Sequence, residues 1–339
     1  MNNFMDECKK TILDVQKYLK EKKEWETRYS KYADAINHKL AKIKNNKTLF
    51  NEKGPLYLYM NVKEAKSSLK FQLRYLGQIV AMIKVDTNDK VMISTKPTKK
   101  ENFEETNKRD FGCTYTLGNE ENRYIEWVSD DAKIFRKHFG SNPKRSNESK
   151  KKNEEHRLES LLLTEFSKKR RSQEKPLCGI QPVKLAKIAR FQMPTPLGGS
   201  NIKDIKYSNS RGGGIDILSH VVTNHTPKLC IMEVKDENVS KEPPAKVIQQ
   251  GLAYATFIRE LLRSGSGDKW WKILGFDRKL PEKIVFYVAC VMPSKDQNDE
   301  SFAGQIIPIP NSNDNFHLHY IYFQENNNNI SNIISSLES

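Results

Sequence analysis

Long apolar runs are missing from this chain. Across its 339 residues no uninterrupted hydrophobic stretch approaches the roughly 18 residues of a membrane span, so no membrane partner is expected. Paired cysteines are missing as well. The five present (Cys8, Cys113, Cys178, Cys230, Cys290) are odd in number and widely scattered. That spacing builds neither a disulfide framework nor a structural zinc site. Reduced thiols are expected, with Cys230 and Cys290 as small core residues. The opening residues MNNFMDECKK lack the basic-then-apolar order of a signal peptide, and a cytoplasmic location is the expectation. A phosphate-cradling loop is also absent. Gly212-Gly213-Gly214 precedes a strand rather than a helix, which excludes a P-loop or a dinucleotide fingerprint.

Negative charge is in short supply. Lys and Arg number 57 against 42 Asp and Glu, giving a net charge of +15. Such an imbalance selects a polyanionic partner, nucleic acid before a membrane surface. The length accommodates two domains, each able to bury a core.

Residues 3 to 46 carry apolar positions at helical spacing: Met5, Cys8, Ile12, Val15 and Leu19, then Tyr29, Ile36, Leu40 and Ile43. One long helix, or a helical hairpin broken near Trp25, satisfies the pattern. From Leu56 to Val128 the character turns to strands around a Thr87-Asn88-Asp89 turn, with YTLGN and RYIEWVS as a further pair and DDAKIFRKHF as a closing helix. Arg74, Tyr75, Lys84, Lys96, Lys99, Lys100, Arg109, Tyr115, Arg123 and Tyr124 interleave basic and aromatic character, as a nucleic-acid surface or an ordinary sheet coat does. These readings give an N-terminal α+β domain over 1–141, with a recognition or regulatory role, and a basic linker over 142–153.

A second domain is expected over 154–325, and an Asn-rich frayed tail over 326–339. It opens with a helix whose Leu158, Leu161, Leu162 and Phe166 share a face bordered by Glu155 and Glu159. KLAKIARFQMPTPL predicts a strand up to Met193, and 197–211 a long loop. Pro243-Pro244 introduces a helix over 245–263, and KIVFYVACVMP predicts a strand buried on both faces. Helices and strands in this order predict an α/β domain with a mixed sheet flanked by helices.

Gly212 to Tyr254 concentrates the chemistry. Glu233 and Lys235 lie two apart at the end of an apolar strand, LCIMEVK, so the pleat sends both side chains to one face. A two-residue loop at Asn224-His225 pairs residues whose numbers sum to 449, which sets Asp216 opposite Glu233. Two carboxylates and an ammonium then converge, an arrangement suited to a hard divalent cation and a phosphate substrate. Other Glu-x-Lys triplets occur at Glu7, Glu21, Glu64 and Glu148, in helical or linker contexts, so the triplet alone identifies nothing. His220 falls on the Asp216 face by parity, but a lone strand histidine is usually structural. His317 and His319 lack a cysteine or carboxylate cluster for zinc, and Trp270-Trp271 reads as core.

An upstream Glu helix, Ile215-Asp216 on one strand, Glu233-Val234-Lys235 on the next and Gln250-x-x-x-Tyr254 on a following helix together resemble the PD-(D/E)xK nuclease superfamily, with the last element similar to that of its RecB-type branch. The resemblance covers about residues 154–323. Ile215 stands where the motif's proline would be, and the 197–211 loop has no counterpart in the pattern.

The resemblance implies a restriction-endonuclease-like fold and a Mg²⁺-dependent deoxyribonuclease, with Mn²⁺ as a substitute metal. It further implies that Asp216, Glu233 and Glu159 (or Glu155) serve as metal carboxylates, with the Val234 carbonyl as a further ligand. Lys235 would act on the attacking water, and Gln250 and Tyr254 would orient the site or the DNA backbone. A restriction or phage-defence endonuclease, a repair or end-processing exonuclease, and a non-catalytic nucleic-acid-binding protein remain as alternatives. DNA is the expected partner, RNA a second, and a homodimer a further expectation.

Overall fold

The structure, a computed structural model, describes residues 2–45, 55–60, 69–86, 88–146, 154–168, 176–185, 189–198, 206–207, 212–223, 226–295 and 298–338. It divides into two compact units. The first joins Met1–Asp34, Glu165–Val183 and Gln192–Ser339; the second joins Ala35–Thr164 and Lys184–Phe191. This differs from a single boundary at 142–153, because the first helix, α1 (Asn2–Glu21), belongs with the C-terminal sheet. Its stripe of Cys8, Ile12, Val15 and Leu19 is buried, and it packs on the Pro244–Arg263 helix. Gln249 Nε2 donates to Glu7 Oε2 at 2.8 Å and Gln16 Nε2 to Glu260 Oε1 at 2.9 Å. The chain breaks before α2 (Glu24–Asn45), close to the expected position, where Trp25 Nε1 donates to the Leu19 carbonyl at 3.0 Å.

The second unit is built on a five-stranded antiparallel sheet in sequential order. Its strands are β1 (Leu56–Met60), β2 (Leu69–Tyr75), β3 (Gln78–Val85), β4 (Val91–Ser94) and β5 (Ile125–Glu126). Strict alternation along β2 buries Leu69, Phe71, Leu73 and Tyr75 and leaves Lys70, Gln72 and Arg74 half-exposed. The β2–β3 turn is Leu76-Gly77, both at positive φ (45° and 77°), as the twist of a two-residue hairpin requires. Gly77 is further constrained, since a Cβ there would meet the His156 carbonyl oxygen at 2.5 Å.

The buried face receives α3 (Glu104–Phe111) and α4 (Asp130–Gly140), with Phe111 and Phe139 each 5.0 Å from the Tyr75 ring. Ser129 caps α4, its side chain accepting from the Ala132 N–H. The expected YTLGN strand does not form. Leu117 instead donates its N–H to the Thr95 hydroxyl, so only Ile125–Glu126 extends the sheet. Residues 142–146 pack on this unit, with Arg145 buried and Ser146 N–H donating to the Asp110 carbonyl at 2.9 Å; 147–153 lie outside the described residues. Helix α5 (Glu154–Ser167) begins next.

The first unit is α/β. Its short strands are β6 (Ile180–Pro182), β7 (Met193–Pro194), β8 (Leu197–Gly198), β9 (Lys206–Tyr207) and β10 (Gly214–Ile215). Its principal strands are β11 (Ile217–Thr223), β12 (Thr226–Val234), β13 (Val285–Pro293), β14 (Ile306–Pro308), β15 (Asn315–Asn326) and β16 (Asn329–Ser335). A seven-stranded mixed sheet runs β14-β15-β13-β12-β11-β6, with β16 also on β15. Among the described residues, the stretch expected as a strand up to Met193 contributes β7 and two isolated bridges, Leu185–Ala189 and Tyr59–Arg190. Most of the 197–211 loop lies outside the described residues, apart from the two-residue β8–β9 ladder.

Strands β12 and β13 are parallel, joined by a crossover through α6 (Pro244–Arg263) and α7 (Gly267–Ile273). Strand β13 is buried along nearly its whole length, as its unbroken apolar run requires. The 326–339 tail corrects the expectation of a frayed end. Asn327 and Asn328 adopt left-handed φ values of 51° and 65°, which asparagine tolerates, and turn the chain back so that β16 pairs with β15. Among the described residues no helix is long and apolar enough to cross a membrane.

Candidate functional site

The β11–β12 hairpin fixes the site. Its register runs from Thr223↔Thr226 to Ile217↔Met232, leaving two residues between the strands, and every pair sums to 449 as the spacing predicts. Asn224 and His225 themselves lie outside the described residues. Pro227 faces Val222, one pair beyond the turn, where the antiparallel alternation calls for no N–H donation to β11.

Continued by two residues, that alternation would give the Val234 N–H a backbone acceptor on Ile215. Gly214 and Ile215 instead leave β12 to pair with Pro194 and Met193 of β7. The chain bends at Asp216, and the Asp216 carboxylate replaces the lost acceptor: Oδ2 takes the Val234 N–H at 2.9 Å. Sequence reasoning placed Asp216 within a straight strand. In the structure it sits at a strand switch, still across from the Glu233-Val234 step.

Glu233 and Lys235 share a face, with Lys235 Nζ donating to Glu233 Oε1 at 3.0 Å and the two residues only 2% and 5% exposed. The Lys235 N–H continues the parallel ladder to the Val291 carbonyl at 3.0 Å, so the strand is held past its polar end. A buried ion pair of this kind is weak evidence for stability, since desolvation opposes the Coulomb attraction.

Helix α6 brings Gln250 and Tyr254 to the same place. Burial, then the negative charge of Glu233 and that of Asp216, push the Tyr254 hydroxyl up to about 12, opposed by a hydrogen bond with Gln250 and by the Lys235 charge. Asp216, Glu233, Lys235, Gln250 and Tyr254 therefore form one electrostatic group. Two glycines missed as positioning residues make this possible. A Cβ at Gly251 would lie 2.9 Å from Val288 Cγ1 and 3.9 Å from Glu233 Cβ, so its absence seats α6 against the site strands. A Cβ at Gly213 would lie 2.5 Å from the Tyr254 oxygen. The sequence signal for Gly251 is an isolated glycine inside an apolar helix, which costs helical propensity unless a close approach needs it. Cys290, paired with Glu233 across the ladder, is buried, and burial followed by the Glu233 charge pushes its thiol well up.

Glu159 lies on the part of α5 that belongs to the second unit. It is buried, and its Oε2 lies 3.0 Å from His156 Nδ1; that bond raises the imidazole's affinity for a proton against the effect of burial. Glu155, one turn earlier, is half-buried. His220 has a structural setting: Nε2 lies 2.7 Å from the Leu274 carbonyl and the ring meets Phe276 edge-on. His317 and His319 flank the Tyr287 ring. Trp270 is fully buried and donates to the Tyr29 carbonyl at 3.2 Å, and Trp271 stacks on Phe276.

Among the described residues no group of three or more His, Cys, Asp and Glu converges. The donors that Asp216 and Glu233 offer at the end of β12 are nonetheless all hard carboxylate oxygens. That donor chemistry fits Mg²⁺, which keeps several waters and binds through one or two carboxylates plus substrate phosphate, better than it fits zinc, which favours nitrogen and sulfur. No protein-family model matches the chain, and neither a curated protein nor a solved structure matches it.

Proposed function

We propose that the chain is a Mg²⁺-dependent deoxyribonuclease of restriction-endonuclease-like fold. The observation that carries this reading is the convergence of Asp216, Glu233, Lys235, Gln250 and Tyr254 around the polar end of β12, beside the parallel β13. A Mg²⁺ ion held by Asp216 and Glu233, or Mn²⁺ in its place, would supply Lewis acidity and lower the pKa of an attacking water.

The chain's own residues do the rest. Lys235 presents an ammonium at the reacting phosphate, orienting the water and steadying the negative charge that develops in the transition state. Its contact with Glu233 fixes the position of that ammonium on an otherwise flexible stem. Tyr254, with its affinity for the proton raised, stays a neutral donor through the physiological range and can hold a phosphate oxygen. Gln250 holds the Tyr254 hydroxyl in place. The assignment of Glu159 as a further carboxylate rests on the family resemblance alone. The net charge of +15 supports a DNA or RNA substrate. A restriction or phage-defence endonuclease and an end-processing exonuclease share this chemistry, and a homodimer suits two-strand cleavage.

The test is incubation of the wild-type protein and Lys235→Ala with linear DNA, circular DNA and RNA, in Mg²⁺ or in chelator. Cleavage that needs the metal and falls by about 10²-fold or more in the variant supports the assignment. Equal cleavage by both proteins, or none by the wild type, removes it. Attack on circular DNA separates endonuclease from exonuclease action.

A further inference from the structure

The positive charge is unevenly divided. The second unit holds 29 Lys and Arg against 17 Asp and Glu, whereas the first, with the candidate site, holds 28 against 25. The excess therefore lies almost wholly in the unit without the proposed chemistry.

Within that unit one sheet face concentrates it. The face opposite α3 and α4 presents Lys70, Gln72 and Arg74 of β2, Met82 and Lys84 of β3 and Met92 of β4, all half-exposed. Strands β1 to β4 contain no carboxylate at all. The register sets Lys70 directly opposite Lys84, and Lys84 opposite Met92, which in turn faces Glu126. Two like charges directly across a ladder repel, an arrangement that weakens a sheet unless an anion lies between them. The carboxylate at the end of that row does not serve, because Glu126 is taken by Lys90 at 2.6 Å.

The cations are instead held up by rings and an amide. Lys84 Nζ lies 4.1 Å above the Tyr124 ring, Arg74 lies 4.3 Å from the Tyr59 ring, and Gln72 Oε1 accepts from both Arg74 Nε and Nη2. Among the described residues, Lys70, Lys84 and Arg74 form no ion pair. Beside Arg74, the neighbouring group from α5 is His156, which is itself engaged by Glu159. A cation seated on a ring keeps its charge and its remaining donors for a ligand.

We infer that this face binds the phosphate backbone of a nucleic acid, with Lys70 and Lys84 straddling one phosphate and Arg74 taking a neighbouring one. The inference extends the proposed nuclease reading by naming the surface that holds the substrate, and rests on it for the choice of nucleic acid among polyanions. Rows of cations along strands track a backbone without reading bases, so affinity here depends on salt and little on sequence.

Fluorescence anisotropy of the full chain with labelled single- and double-stranded oligonucleotides, in chelator throughout, tests this apart from any cleavage. Lys70→Gln/Arg74→Gln/Lys84→Gln is expected to weaken binding at least ten-fold and to reduce the slope of log affinity against log salt by about 2 to 3. An equal-charge control, Lys108→Gln/Lys137→Gln/Lys144→Gln, changes exposed lysines of the same unit off this face and is expected to keep most of the affinity. The single variant Lys84→Gln keeps the question answerable if the triple variant unfolds; its slope should fall by about 1. Wild-type protein without affinity for either oligonucleotide overturns the inference. So does unchanged binding by the face variants, or a control that loses as much as they do. Binding here together with no cleavage by the wild type in the separate Mg²⁺ assay would sink the nuclease reading and leave this surface standing.

Discussion

Helix α6 serves two buried charge clusters in the same unit, and they are built differently. Near its C-terminal end Arg259 and Arg263 converge on Asp314, whose side chain is fully buried. One Asp314 oxygen accepts from Arg259 Nε and Arg263 Nε, each at 3.0 Å; the other accepts from Arg263 Nη2 and from the Ile284 N–H. Burial raises this carboxyl's pKa, but the hydrogen bonds from Arg263, Ile284 and Arg259 hold it below the ordinary value. Rigid forks and a backbone donor make this a clamp between α6 and the start of β15. The other cluster, among the described residues, sets the carboxylates of Asp216 and Glu233 beside the flexible Lys235 ammonium and a tyrosine that keeps its proton. A structural cluster matches donors to acceptors within the protein. The site cluster instead brings two carboxylates, a lysine and a proton-keeping tyrosine together at the end of one strand, a grouping of mixed charge that marks functional sites more often than clamps.

The largest effect should come from breaking the clamp. Asp314→Ala leaves two guanidinium groups and the Ile284 N–H without their acceptor and should cost about 3–5 kcal/mol in denaturant unfolding of this unit. A loss below about 1 kcal/mol would show that the clamp is ornamental. Because the folded-state pKa of Asp314 is depressed, its contribution is present above the unfolded carboxyl value and is lost as pH falls through the lower folded one. Asp314→Asn should therefore show a shallower acid limb in a pH series of melts, and an identical limb would contradict the sign.

Gly213→Ala should have an intermediate effect. The added methyl meets the Tyr254 oxygen, so about 1–3 kcal/mol of strain is expected, much of it relieved in Gly213→Ala/Tyr254→Phe. Additive losses in that double variant would mean the contact is not the cause. The smallest effect on stability belongs to the site pair. Glu233→Gln/Lys235→Met, which replaces the ion pair by neutral groups of similar size, should stay within about 1 kcal/mol of wild type while the proposed cleavage disappears. A loss of several kcal/mol would make that pair a second clamp and weaken the functional reading.

What was legible in the chain follows the range of the interactions involved. The Glu233–Lys235 face and the 449 register were readable because a period of 2 and a two-residue loop are local facts. The bend at Asp216 was not, since it depends on β7 drawing away Gly214-Ile215 from about twenty residues upstream. Helix α1 was correctly periodic but assigned to the wrong unit, because an amphipathic stripe does not say which partner covers it. Arg259 and Arg263 sit one turn apart on α6, but their acceptor lies about fifty residues downstream, and no spacing points to it. The C-terminal strand hid behind its composition: a run of asparagines reads as disorder, although two of them form the turn the hairpin requires.

The hydrogen bond from Val234 to Asp216 has a practical consequence. Asp216 serves the fold through one oxygen, as a neutral amide also can. Asp216→Asn keeps an acceptor for that N–H while removing a negative charge from the site. Under the proposed function it is the substitution of choice for a folded, inactive form that holds its substrate, whereas Asp216→Ala would disturb the strand switch along with the proposed chemistry.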